Sequence, residues 1–238
     1  MLFSGSPPSN PLKRIIASTP HFESQDQGVF HLTHFKYTAK MCDCSLCIHH
    51  KKKSGCRLAL CPYMDERVAS GAASFRDVMY ETMRDIYHPA FRGRLNQYIK
   101  ESERQKMYFK NVTHRQAFDS AIAKLDRNNM ALMSSVYLLT ADHKLWNQAK
   151  RYVAHGASVF ETFLPRECTE SEYVLFCCAK DLYLGTRHLS VHDLADPALI
   201  APKLFGVICN AMAIRRFGLD AIRHKEVCKP PIANTAAE

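Results

Sequence analysis

The chain has 238 residues, 47% of them hydrophobic and 23% charged, and carries a formal net charge of +9 at pH 7. These proportions belong to a globular protein with a core of its own, and they exclude a disordered, fibrous or collagen-like chain. No stretch reaches the roughly 18 consecutive apolar residues of a membrane-spanning helix, and the opening MLFSGSPPSNPLKRIIAS has prolines where an export signal would have an apolar run, so the expectation is a cytoplasmic protein that does not engage membranes.

Residues 1–27, rich in Ser, Pro, Asn and Gln, read as a flexible arm. The next stretch, GVFHLTHFKYTAK, alternates aromatic and β-branched residues with polar ones, which predicts a short strand or β-hairpin. It leads into MCDCSLCIHHKKKSGCRLALCPYMDER, where five of the ten cysteines fall within residues 42–61. In a reducing compartment such a cluster points to metal ligands, not disulfides.

Cys44 and Cys47, two residues apart, can offer both thiolates to one ion from a tight turn, and Cys56 with Cys61 supplies a second pair. Gly55 eases the chain reversal between them. The expected cofactor is therefore a structural Zn held by Cys44, Cys47, Cys56 and Cys61, with Cys42, His49 and His50 as alternates, and residues 28–70 form one cysteine-rich metal-binding module. Four thiolates around one zinc leave a charge of about −2. Lys51, Lys52, Lys53 and Arg57 would offset it, or would contact the phosphates of a partner.

Further along, the period becomes helical. Ser74 caps a predicted helix with Phe75, Val78, Met79, Met83, Ile86 and Tyr87 on one face, ended by His88-Pro89; a second helix turns Phe91, Leu95, Tyr98 and Ile99 inward, and KESERQK faces water. These linking helices occupy residues 71–111. Residues 112–228 read as a helical domain and 229–238 as a tail. Thr113 to Gln116 and Thr169 to Glu172 have capping-box spacing, Asp142 caps a helix carrying Leu145, Trp146 and Ala149, and Asp196-Pro197 opens a helix whose inward face holds Leu204, Val207, Ile208, Ala211 and Ile214. Gly185 and Gly218 stand where helices end. The fold class is mainly α.

The charge is uneven. Residues 1–110 hold 17 Lys and Arg against 10 Asp and Glu, whereas residues 111–238 hold 15 against 13, so attraction to polyanions belongs to the N-terminal half. No HExxH, GxSxG or phosphate-cradling glycine loop is present. His192-Asp193 and Asp142-His143 are adjacent pairs that diverge on a helix, which suits capping better than catalysis. Cys177-Cys178 and Trp146 read as core. Asp43 and Glu66 are the carboxylates that a metal-dependent enzyme would have at the cluster.

The stretches SSVYLLTADHKLWNQAKRYV, SEYVLFCCAKDLYLG and NAMAIRRFGL resemble an uncharacterised helical domain family of Gram-positive bacterial plasmids, prophages and conjugative elements, over about residues 114–218. Thr140, Ala141 and Asp142 replace that family's Ser-Gly-Asn, Leu182-Tyr183 match its helix ending, and Arg216 interrupts its closing pattern at Ala213, Ile214, Arg215 and Phe217. The resemblance implies a mobile-element gene and no catalytic residues. The expected function is a non-enzymatic, zinc-stabilised protein that contacts nucleic acid or a nucleoprotein complex. The alternative is a protein-binding inhibitor or adaptor, such as an anti-defence protein acting on a host protein, with no direct affinity for nucleic acid.

Overall fold

The computed structural model describes residues 38–51, 55–56, 61–105, 109–154, 160 and 163–222. The flexible arm, the alternating stretch up to Tyr37, Lys52, Lys53, Arg57 and the tail lie outside the described residues.

A 3-10 turn at Cys44–Leu46 leads to the strands β1 (His50–Lys51) and β2 (Gly55–Cys56). Nine helices follow among the described residues: α1 (Met64–Ser70), α2 (Phe75–Thr82), α3 (Pro89–Gln105), α4 (Val112–Ile122), α5 (Met130–Thr140), α6 (His143–Ala154), α7 (Glu170–Leu184), α8 (Val191–Ala195) and α9 (Pro202–Phe217), with a last 3-10 turn at Gly218–Ala221. The mainly α expectation holds. The described hairpin is inside the cysteine segment, later than the alternating stretch.

Helix α5 is the hub. From Leu132 to Thr140 every residue is buried, and α5 packs on α4, α6, α7 and α9. A helix apolar on all sides can be stable only in such a place. Its hydroxyls are satisfied locally: Ser135 donates to the carbonyls of Ala131 and Ala179, and Thr140 to that of Val136. A buried polar chain crosses three helices, with the Tyr98 hydroxyl donating to Asn210 Oδ1 at 2.9 Å and Asn210 Nδ2 donating to the Tyr137 hydroxyl at 3.2 Å. Gly206 lets α9 approach Tyr98 of α3, since a Cβ there would lie 2.5 Å from the ring.

Helices α1, α2 and α3 also pack on α9, so the cysteine segment stands against the same core as the C-terminal helices. Arg216 of α9 donates to the Glu81 carbonyl and carboxylate of α2, both at 2.9 Å. Arg94 of α3 donates to the carbonyls of Leu194 and Ile200 and lies 4.4 Å from the Phe205 ring centroid.

Several boundaries differ from the sequence reading. Helix α2 stops at Thr82, leaving Ile86 half-buried and Tyr87 exposed, and Pro89 starts α3 at a position where its missing N–H costs nothing. Within KESERQK, Lys100 and Glu101 are exposed but Ser102 is buried. The α4 cap is Asn111, which accepts from His114 N–H, in place of Thr113. Asp196 closes α8 and accepts from Ala198 N–H; the final long helix begins at Pro202, behind Ala201. The boxes of Ser74 with Asp77 and Thr169 with Glu172 are both formed, and Asp142 accepts from Leu145 N–H.

Candidate functional site

The cysteine segment is built from short backbone-controlled turns. Asp43 accepts from Ser45 N–H at 2.8 Å, and the N–H groups of Leu46 and Cys47 donate to the carbonyls of Asp43 and Cys44. The hydrogen bond to Ser45 holds the Asp43 carboxyl below its usual range. His50 N–H then donates back to the Cys47 carbonyl, which sets β1 directly against the turn. In the hairpin His50 pairs with Cys56 and Lys51 with Gly55. Residues opposed across an antiparallel pair share a face, and successive residues alternate. His50 and Cys56 therefore present one face and Lys51 the other.

These turns and helices α1 and α2 enclose a cleft of about 650 Å³, whose lining includes Cys42, Cys44, Cys47, Cys56, Cys61 and His50; His49 is not part of it. The Cys42 thiol already donates to the Glu66 carbonyl of α1 at 3.7 Å. Partial burial raises the Cys44 thiol; Arg67 opposes this, while Cys61, Asp77 and Cys47 add to it, so these groups are electrostatic neighbours. Burial works to discharge Arg67 too, but Cys44, Cys61 and Asp77 outweigh it and hold the guanidinium charged. Arg67 Nη2 pairs with Asp77 Oδ2 at 3.1 Å, and the same oxygen accepts from Ser74 N–H at 3.4 Å.

Among the described residues no three His, Cys, Asp or Glu side chains stand close enough together to hold a metal ion. The metal-binding module expected from the spacing is thus not supported by the described residues. Cys56 is the outlier in burial: it is exposed, whereas Cys44, Cys47 and Cys61 are half-buried. The donor chemistry still suits zinc, because four thiols with these spacings border one cleft.

The rim of the cleft is apolar and open. Leu46 is 71% and Ile48 89% exposed, and Met41, Tyr63 and Tyr80 are exposed beside them. Lys51 is exposed on its own face of the hairpin. The sequence reading missed Arg67 and Asp77, whose meeting depends on how α1 and α2 cross and leaves no spacing signal. It also passed over Leu46 and Ile48, though apolar residues flanking Cys47 were visible.

A second, polar cleft of about 260 Å³ lies between the starts of α4 and α6 and includes Lys110, Asn111, His114, Asp142 and His143. His114 is buried; its Nε2 donates to the Tyr137 carbonyl at 2.8 Å and its Nδ1 accepts from Lys110 N–H at 3.1 Å. Burial pushes its pKa down to about 4, so near neutral pH it is an uncharged structural group with both nitrogens engaged. Asp142 serves as a cap, and Asp193 accepts from the Ser190 backbone and hydroxyl, so neither adjacent pair forms a dyad. Cys178 and Cys209 are buried and their thiols are pushed well up. Among the described residues no helix is long and apolar enough to cross a membrane.

No protein-family model, curated protein or solved structure matches the chain.

Proposed function

We propose that the chain is a non-enzymatic binding protein whose cysteine segment closes on one zinc ion and presents a basic hairpin to nucleic acid or a nucleoprotein complex. The observation that supports this reading is the hairpin register. It turns His50 and Cys56 toward the thiol-bordered cleft while Lys51, the first of three consecutive lysines, stays exposed on the other face.

Cys44, Cys47, Cys56 and Cys61 would hold the zinc. Cys42 is engaged by Glu66 and His49 stands outside the cleft, which ranks both behind the first four. Cys56 is the exposed member of the four, so zinc binding would draw it toward the other three. The zinc would supply cross-linking only, since four sulfur ligands leave no open position for a substrate. The resemblance of residues 114–218 to mobile-element proteins suggests an accessory gene of a bacterial mobile element as the setting.

The test measures zinc content and the salt dependence of binding to a duplex DNA and a single-stranded RNA. One zinc per chain is expected. For the DNA, the slope of log K against log salt should fall by about 2 to 3 when Lys51, Lys52 and Lys53 are all changed to alanine, given roughly 0.9 per phosphate contact. Binding indifferent to both salt and the triple change would overturn the nucleic-acid reading. The exposed apolar rim favours a second reading, a protein-binding adaptor or inhibitor, because clustered apolar surface marks protein contacts. That reading calls for a stoichiometric protein complex that survives high salt and is lost on changing Leu46 and Ile48 to serine.

A further inference from the structure

We infer that Cys44 and Cys47 form a reversible dithiol–disulfide pair, oxidised by low-molecular-weight disulfides, whose closure locks the turn that carries Leu46. The inference stands apart from the zinc reading above, since a disulfide needs only two side chains to meet.

Backbone geometry brings the two residues together. The N–H groups of Leu46 and Cys47 donate to the carbonyls of Asp43 and Cys44, each at 3.0 Å, so Cys44–Leu46 is a 3-10 turn with Cys47 as its C-cap. Residues three apart in such a turn stand on one side of it, and a rise of about 2 Å per residue sets their Cα atoms about 6 Å apart. A disulfide spans about 4.4–6.8 Å between Cα atoms. Both cysteines are half-buried with free thiols, and both line the same cleft. The other three cysteines of the segment are less well placed to pair with them. Cys42 donates its thiol to the Glu66 carbonyl at 3.7 Å, and Cys56 is exposed on β2, opposite His50. Cys61 follows the hairpin, so its approach to Cys44 or Cys47 is not set by a local turn.

The exchange proceeds in two displacements. A thiolate of the pair attacks one sulfur of an external disulfide, forming a mixed disulfide and expelling one thiolate. The second cysteine gives its proton to solvent and attacks the mixed disulfide, which closes the Cys44–Cys47 bond and expels a second thiolate. Two protein sulfurs are oxidised, and the external disulfide is reduced to two thiols. The new bond closes a loop around Leu46, which is 71% exposed, and the Cys47 carbonyl also accepts from His50 N–H at the start of β1. The redox state of the pair is thereby carried to the apolar rim and to the hairpin. Metal ligation requires thiolates, so oxidation of this pair and zinc binding exclude each other.

The experiment uses the full-length chain, reduced and then incubated with mixtures of glutathione and glutathione disulfide in the presence of a chelator. A pH of about 8 is chosen because burial raises the Cys44 thiol and exchange needs thiolate. Free thiols are alkylated, and the tryptic peptide of residues 41–51, which holds Cys42, Cys44 and Cys47, is read by tandem mass spectrometry. The expected product is two hydrogens lighter than the dithiol, bonded between Cys44 and Cys47, alkylated at Cys42, and returned to the dithiol as the proportion of glutathione rises. Cys44→Ser and Cys47→Ser should each lose this product and retain glutathione on the remaining partner, while Cys42→Ser should form it as the unsubstituted chain does. Failure of the bond to form in the unsubstituted chain at any ratio would overturn the inference. Preferential pairing of Cys44 or Cys47 with Cys42, Cys56 or Cys61 would overturn it too. The chelator keeps metal out of this test, so the zinc reading is decided separately, by the zinc stoichiometry of the reduced chain.

Discussion

Gly206→Ala should destabilise the protein although alanine is the better helix former. A Cβ at this position would lie 2.5 Å from Tyr98 Cε2, 3.0 Å from Cδ2 and 3.1 Å from Cζ, so the ring must retreat by about 0.9 Å to reach an ordinary contact of 3.4 Å. The ring cannot yield freely. Its hydroxyl is bonded to Asn210, and it meets Phe75 and Phe205 edge-on at centroid separations of 5.8 and 6.3 Å. Overpacking of this kind costs about 1–3 kcal/mol, and straining a buried hydrogen bond adds about 1 kcal/mol. Replacing a mid-helix glycine returns about 1 kcal/mol. The balance is a loss of about 2 kcal/mol, which for a chain of this size lowers Tm by about 4–8 °C. Thermal and urea unfolding would measure it. In a Tyr98→Leu background the same substitution should cost far less, giving a coupling above about 1 kcal/mol. A Gly206→Ala protein as stable as its parent, with no coupling to Tyr98, would refute the close-approach argument.

Two further outcomes are expected. His114 has a folded pKa of about 4 against 6.5 in an unfolded chain, so the unfolded state binds the proton first; the associated stability is fully present above about pH 6.5 and is lost as pH falls toward 4. The loss amounts to about 3 kcal/mol, and His114→Gln should flatten the pH dependence of urea midpoints over that window; an unchanged slope would contradict the assignment. With zinc bound, Cys44, Cys47, Cys56 and Cys61 should resist alkylation and become reactive together when a chelator is added, while Cys178 and Cys209 stay unreactive in both states. Peptide mass spectrometry reads this directly, and piecemeal reaction of the four would argue against a shared ion.

Helix identity was legible where local chemistry decides it. The Thr169 and Ser74 caps and the Asp142 cap all rest on a side chain and a backbone N–H three residues apart, so they are written in the sequence itself. The errors arose where two signals competed. Asp196-Pro197 looks like a helix start, yet Asp196 is spent on a turn and the helix begins at Pro202, behind an alanine that cannot cap. Asn111 likewise displaced Thr113 as the cap of α4, two residues earlier than the box spacing indicated.

At the cleft, the cysteine spacing was visible but its consequence was not. Whether thiols converge depends on the hairpin's position, and two paired residues per strand give the sequence little with which to fix it. Arg67 and Asp77 come from different helices, and a pair ten residues apart has no periodic signature.

The burial of α5 on every side has a consequence for divergence. Residues Leu132 to Thr140 face helices in all directions, so few substitutions there conserve volume. Chains descended from the same ancestor would drift slowest along this one helix. Distant kinship would then be betrayed by a small residue on α9 set against an aromatic ring on α3, with a buried amide one turn further along α9.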